Sequence, residues 1–142
     1  MRLSQVMLMA WLLPVQGLAC ECATETIDDS YKSGAVVVAA EAISVSNGPS
    51  EGAAGRIQTV EWMVLESWKG SYRKGQRFKT QTHVQCCTCA ASFAERSAFI
   101  LSLAGSEPFA ARACGGARDL KYAISEIPEL YRLRAAAQPR RP

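Results

Sequence analysis

The chain has 142 residues, of which 49% are hydrophobic and 20% charged, with a formal net charge of +3. That apolar share supports a packed core and excludes a disordered polar chain, and the length is that of one domain rather than several. Basic residues are scattered, with no basic run longer than the pairs Arg73-Lys74 and Arg140-Arg141, so the linear sequence gives no footprint for nucleic acid or for an anionic surface.

Residues 1–19 read as a signal peptide: Arg2, an apolar stretch from Val6 to Val15 broken late by Pro14, then Gly17-Leu18-Ala19 ahead of a cleavage point. The stretch is too short to span a bilayer, which takes roughly 20 apolar residues, and no later segment is longer. The expectation is an exported protein, secreted or periplasmic or held at the cell envelope, whose mature form begins at Cys20. It carries one domain over residues 20–137 and a disordered tail at 138–142.

Thr24 to Ser33 predicts a short helix, with Thr24 or Thr26 as N-cap, Ile27 and Tyr31 on one face, and Gly34 as a stop. Gly34 to Ser46, rich in Val and Ala, predicts a strand, closed by the turn formers of Asn47 to Gly52. Arg56 to Lys69 is too β-branched and aromatic for a helix and is apolar on both faces at its centre, which predicts a long central strand. In Arg77 to Val84, Phe78, Thr80, Thr82 and Val84 alternate with Arg77, Lys79, Gln81 and His83, the signature of a half-buried strand. Ser97 to Ala104 predicts a fourth strand and Phe109 to Cys114 a short fifth. Behind Asp119 as N-cap, Leu120, Ala123, Ile124, Ile127 and Leu130 recur at helical spacing, and Pro128 splits that helix near Ile127.

Six cysteines, Cys20, Cys22, Cys86, Cys87, Cys89 and Cys114, all follow the cleavage point and would meet an oxidising compartment. Disulfides are the first reading, and spacing alone selects no pairing. The order Cys20-Glu21-Cys22 at the mature start, a short helix, strands including Val64-Leu65-Glu66-Ser67-Trp68-Lys69-Gly70, then Cys89-Ala90-Ala91-Ser92-Phe93, Cys114 and a final helix resembles bacterial members of the tissue-inhibitor-of-metalloproteinases-like, or netrin-module, family. The resemblance runs from Cys20 to about Arg134. It implies a mainly β fold: a five-stranded barrel of the oligonucleotide/oligosaccharide-binding type, stapled by disulfides and flanked by a short N-terminal and a C-terminal helix. It implies bridges from Cys20 to Cys89 and from Cys22 to Cys114, each contributing on the order of 4 kcal/mol by chain entropy. Cys86 and Cys87 have no counterpart in the pattern; a bridge between them, competition with Cys89 for Cys20, and the reduced state all stay open.

The resemblance also implies a working surface, formed by Cys20, Glu21 and Cys22. In animal relatives the first cysteine's α-amino nitrogen and carbonyl oxygen chelate the catalytic zinc of a metalloprotease. The chemistry suits the ligands, because a catalytic zinc keeps an open position and an amine beside a carbonyl fills it as a bidentate donor. Glu21 would point at the pocket beside the zinc. A small or neutral side chain suits an apolar pocket there, whereas a carboxylate requires a cationic one.

Other readings run beside this one. Gly17-Leu18-Ala19-Cys20 also has the look of a lipobox, and a lipid anchor on Cys20 would consume the thiol and block the amine, abolishing bridge and chelation together. Cys86-Cys87-Thr88-Cys89 contains a Cys-x-x-Cys spacing three residues after His83, which suits thiol exchange or a soft metal. A third reading is a structural or partner-binding module with no inhibitory activity. His83 lacks local triad partners and reads as a solvent-facing strand residue, Trp62 and Trp68 as core, and Glu126 and Glu129 as a solvated helix face. The expectation is a non-enzymatic domain that needs no cofactor and binds a protein partner, a metalloprotease first among them, with no nucleic acid and no transmembrane span.

Overall fold

A computed structural model of the chain describes residues 25–84, 91–112 and 114–139. Its first helix, α1 (Ile27–Ser33), begins at Thr26, the second of the two threonines offered as caps. The Thr26 hydroxyl accepts the Asp29 amide N–H at 3.2 Å while the Asp29 carboxylate accepts the Thr26 amide N–H at 3.3 Å, so two otherwise orphaned donors are satisfied reciprocally. Hydrogen bonds from Thr26, its side chain first, hold the Asp29 carboxyl below the usual range. The helix stops at Gly34, where a Cβ would collide with Ser102 Oγ, so α1 and the sheet meet closely at that point.

Six strands follow: β1 (Val36–Asn47), β2 (Arg56–Lys69), β3 (Arg77–Val84), β4 (Ala98–Leu103), β5 (Phe109–Ala110) and β6 (Ala117–Asp119). They form one sheet in the order β5-β3-β2-β1-β4-β6, antiparallel except for the β3–β5 pair, and it curls into a half-barrel. Near its centre, β1 is buried on both faces, which is why it reads as an unbroken Val and Ala run rather than an alternation. Val36, Val38, Ala40 and Ala42 point into the concave core; Val37 and Ala39 point outward beneath the helices.

The concave core is aromatic. Trp62 is fully buried, stacks at 6.4 Å on Phe78 and meets the edge of Phe93 at 5.0 Å, and its indole N–H donates to Thr80 Oγ1 at 2.8 Å. Thr80 is thus the partner that lets a tryptophan sit where no water reaches. Trp68 has the same parity on β2 yet belongs to the outer cluster. Register shifts in the β1–β2 ladder, between Val37 and Val38 and between Ala39 and Ala40, put unpaired residues into β2 and turn its later side chains to the other face.

On the outer face lie α1, α2 (Leu120–Ala123), a 3₁₀ turn at Ile124–Glu126, and α3 (Ile127–Ala137). Asp119 caps α2 by accepting the Lys121 amide N–H at 2.9 Å. Pro128 stands at the opening of α3, where its missing N–H has no carbonyl to lose, so the expected split falls at Ile127 and a new helix starts there. Leu130 and Leu133 from α3 meet Tyr31, Val37, Trp68 and Ile100 in the outer cluster. Burying a side chain such as Leu130, fully enclosed here, stabilises by about 1.5–3 kcal/mol.

The structure departs from the sequence expectation in strand number. Among the described residues there are six strands rather than five, because Ala117–Asp119 pairs with β4, Phe99 opposite Asp119 and Leu101 opposite Ala117. The predicted fifth strand shrinks to Phe109–Ala110, since only Thr80–Phe109 and Gln81–Ala110 are in register with β3, and Cys114 lies beyond it. The predicted signal peptide lies outside the described residues, as do residues 140–142 of the predicted tail.

Candidate functional site

The predicted working ridge, Cys20, Glu21 and Cys22, lies outside the described residues, as do Cys86, Cys87 and Cys89. Cys114 is described and is disulfide-bonded; the pairing itself falls outside what is described. The described residues nearest to them form a platform onto which Glu25 and α1 are fastened.

That platform is a polar network among apolar neighbours. Arg118 projects from β6, and its guanidinium donates through Nη2 to the Glu25 carbonyl and to Ser30 Oγ at 3.3 Å, and through Nη1 to Glu126 Oε1 at 3.0 Å. Ser30, buried on α1, donates its hydroxyl to the Gly115 carbonyl at 2.9 Å, while its own carbonyl accepts from Ser102 Oγ on β4 at 2.6 Å. The Glu25 side chain lies over Gly115: a Cβ there would overlap the Glu25 carboxylate, and the backbone has φ +75, which favours glycine. The residue after Cys114 is therefore in van der Waals contact with a residue three positions after Cys22.

A second fastening holds the segment that follows Cys89. The buried Gln58 side chain on β2 accepts the Phe93 amide N–H on Oε1 at 2.8 Å and donates from Nε2 to the Phe93 carbonyl at 3.2 Å, with Asn47 Oδ1 also accepting at 3.2 Å. One side-chain amide thus acts as a strand partner for a single residue, and it places the Phe93 ring against Trp62 and Phe99. At the far end of the sheet Tyr72 donates its hydroxyl to Glu107 at 3.0 Å; burial first, and Glu107 next, push the phenol above its ordinary pKa.

The other sequence candidates are dispersed. His83 is exposed on β3, opposite Ile57. Glu126 is not simply solvated, because its ion pair with Arg118 fixes the 3₁₀ turn against β6; Glu129 pairs with Arg132 on α3. Among the described residues no three His, Cys, Asp or Glu side chains gather to hold a metal ion, and no helix is long and apolar enough to cross a membrane. The chain matches no protein-family model, and no curated protein matches it.

Glu25, Ser30, Gln58 and Arg118 are absent from the sequence reading. Gln58 carried a usable signal, sharing the parity of Val60, Trp62 and Val64 and so facing the core. Arg118 and Ser30 carried none, since their partnership spans 88 positions.

Proposed function

We propose that the chain is an exported, non-enzymatic protein-binding domain of the tissue-inhibitor-of-metalloproteinases-like type. Its working surface is the Cys20-Glu21-Cys22 ridge, and it inhibits a zinc metalloprotease by chelation through the Cys20 amine and carbonyl. On this reading the curled sheet is a barrel of the oligonucleotide/oligosaccharide-binding type, with Cys20 bridged to Cys89 and Cys22 to Cys114.

The observation that carries this reading is the seat of Glu25 on Gly115 beside a disulfide-bonded Cys114. Three residue steps, through Ala23 and Thr24, lead from Cys22 to Glu25, at most about 11 Å when fully extended. With Glu25 anchored there by Arg118, Cys22 needs no rearrangement of the barrel to meet Cys114, whose bridge requires Cα atoms about 4.4–6.8 Å apart. Ordering the chain end in advance lowers the entropy lost when it enters an enzyme cleft. The Gln58–Phe93 clamp supports the second bridge in the same way, by fixing the chain a few residues after Cys89. Glu21 restricts the target to an enzyme with a cationic pocket beside its zinc.

The test is an extra alanine ahead of Cys20, assayed against a panel of zinc metalloproteases alongside the unextended protein. Chelation requires the free amine at Cys20, so inhibition is lost on extension. Equal potency of the two forms, or no inhibition by either, refutes the proposal.

A further inference from the structure

We infer that a cleft between the end of β2, the β2–β3 turn and the end of α3 binds a small oxyanion carrying several charges, of the kind presented by a sulfated sugar or a phosphate chain. The cleft has a volume of about 500 Å³ and is lined by Lys69, Arg73, Lys74 and Arg134 against a single carboxylate, Glu66. Cations scattered along the sequence are thus gathered around one cavity, and its size suits a small molecule rather than a macromolecular groove.

Two of the four cations already have work within the fold. Lys69 Nζ donates to the Tyr31 and Lys32 carbonyls at 2.7 and 3.2 Å, closing the end of α1. Arg134 Nη1 donates to Glu66 Oε1 at 3.3 Å and to the Ser67 carbonyl at 3.1 Å, and both bonds leave its Nε and Nη2 donors over. Arg73 and Lys74 are different. Both are exposed, and neither side chain has an ion pair among the described residues. The cleft wall therefore carries positive charge in excess of negative, and like charges held around one cavity are relieved by an anion that bridges them.

The experiment is calorimetric titration of the full mature protein at low ionic strength with sucrose octasulfate and, separately, with inorganic tripolyphosphate. Saturable one-to-one binding of either upholds the site; binding of only the first assigns a sulfated saccharide, of only the second a phosphate chain. A variant carrying Arg73→Ala and Lys74→Ala, both on an exposed turn, is expected to bind at least tenfold more weakly. Its control carries Arg112→Ala and Lys121→Ala, which removes the same charge elsewhere and is expected to bind within twofold of the parent. No saturable binding of either anion, or equal weakening in the two variants, overturns the proposal.

Discussion

Replacing Gln58 with methionine tests the claim that one side-chain amide holds the segment after the cysteine cluster. Methionine keeps the length and flexibility of the side chain, so the cavity term is small and the polar term is isolated. Three hydrogen bonds disappear, but they do not weigh equally. Asn47 is exposed and its amide returns to water, so its share is below about 1 kcal/mol. The Phe93 N–H and carbonyl are enclosed, and each buried group left without a partner costs about 1–3 kcal/mol. The better solvation of a thioether by the apolar core offsets part of this, leaving a net loss of about 2–4 kcal/mol. For a domain of this size that lowers Tm by roughly 10 °C. Urea unfolding reports it as a shift in midpoint at constant slope, and the Phe93 amide should exchange its hydrogen faster than its neighbours in β4. A loss below about 0.5 kcal/mol, or unchanged exchange at Phe93, would show that the clamp is incidental.

Two other outcomes follow from the platform and the far end of the sheet. Gly115→Ala imposes a backbone cost of about 1–2 kcal/mol at positive φ and displaces the Glu25 carboxylate, so adding Glu25→Ala should recover part of the loss in urea unfolding; strict additivity of the two changes would mean that Glu25 does not sit on Gly115. Tyr72, raised by burial and then by Glu107, contributes stability that is present below the ordinary phenol range near pH 10 and is lost as pH rises through its higher folded value. Followed by phenolate absorbance, Tyr72 should titrate above the ordinary phenol range, and Tyr72→Phe should subtract a late component of one tyrosine's amplitude; an unchanged late component in the variant refutes the assignment.

What the sequence disclosed was governed by locality. The alternation of Phe78, Thr80, Thr82 and Val84, the capping geometry at Thr26 and Asp119, and the break at Pro128 each depend on residues a few positions apart, and each stands in the structure at the expected place. β6 escaped because Ala117-Arg118-Asp119 is too short to show a period and follows Gly115-Gly116, which reads as a turn; only its pairing with β4 makes it a strand. The divergence of Trp62 and Trp68 escaped for a similar reason, since a bulge is a property of the ladder and not of either strand alone.

The same distinction separates the two surfaces considered above. The proposed Cys20-Glu21-Cys22 ridge came from a motif, a short run of residues with a chemical meaning, whereas the fold shows Glu25 seated on Gly115. The basic cleft came from the fold: β2, a turn and α3 bring four cations together from positions 69 to 134, and only Arg73 and Lys74 are neighbours in the sequence. Scattered charge in a linear sequence therefore does not argue against an anion site, because the curl of the sheet and the return of the last helix decide which charges become neighbours. Arg118 makes the same point on the platform. It is an ordinary strand residue by sequence, and it becomes the tie between Glu25, the first helix and the 3₁₀ turn ahead of α3 only when β6 pairs with β4.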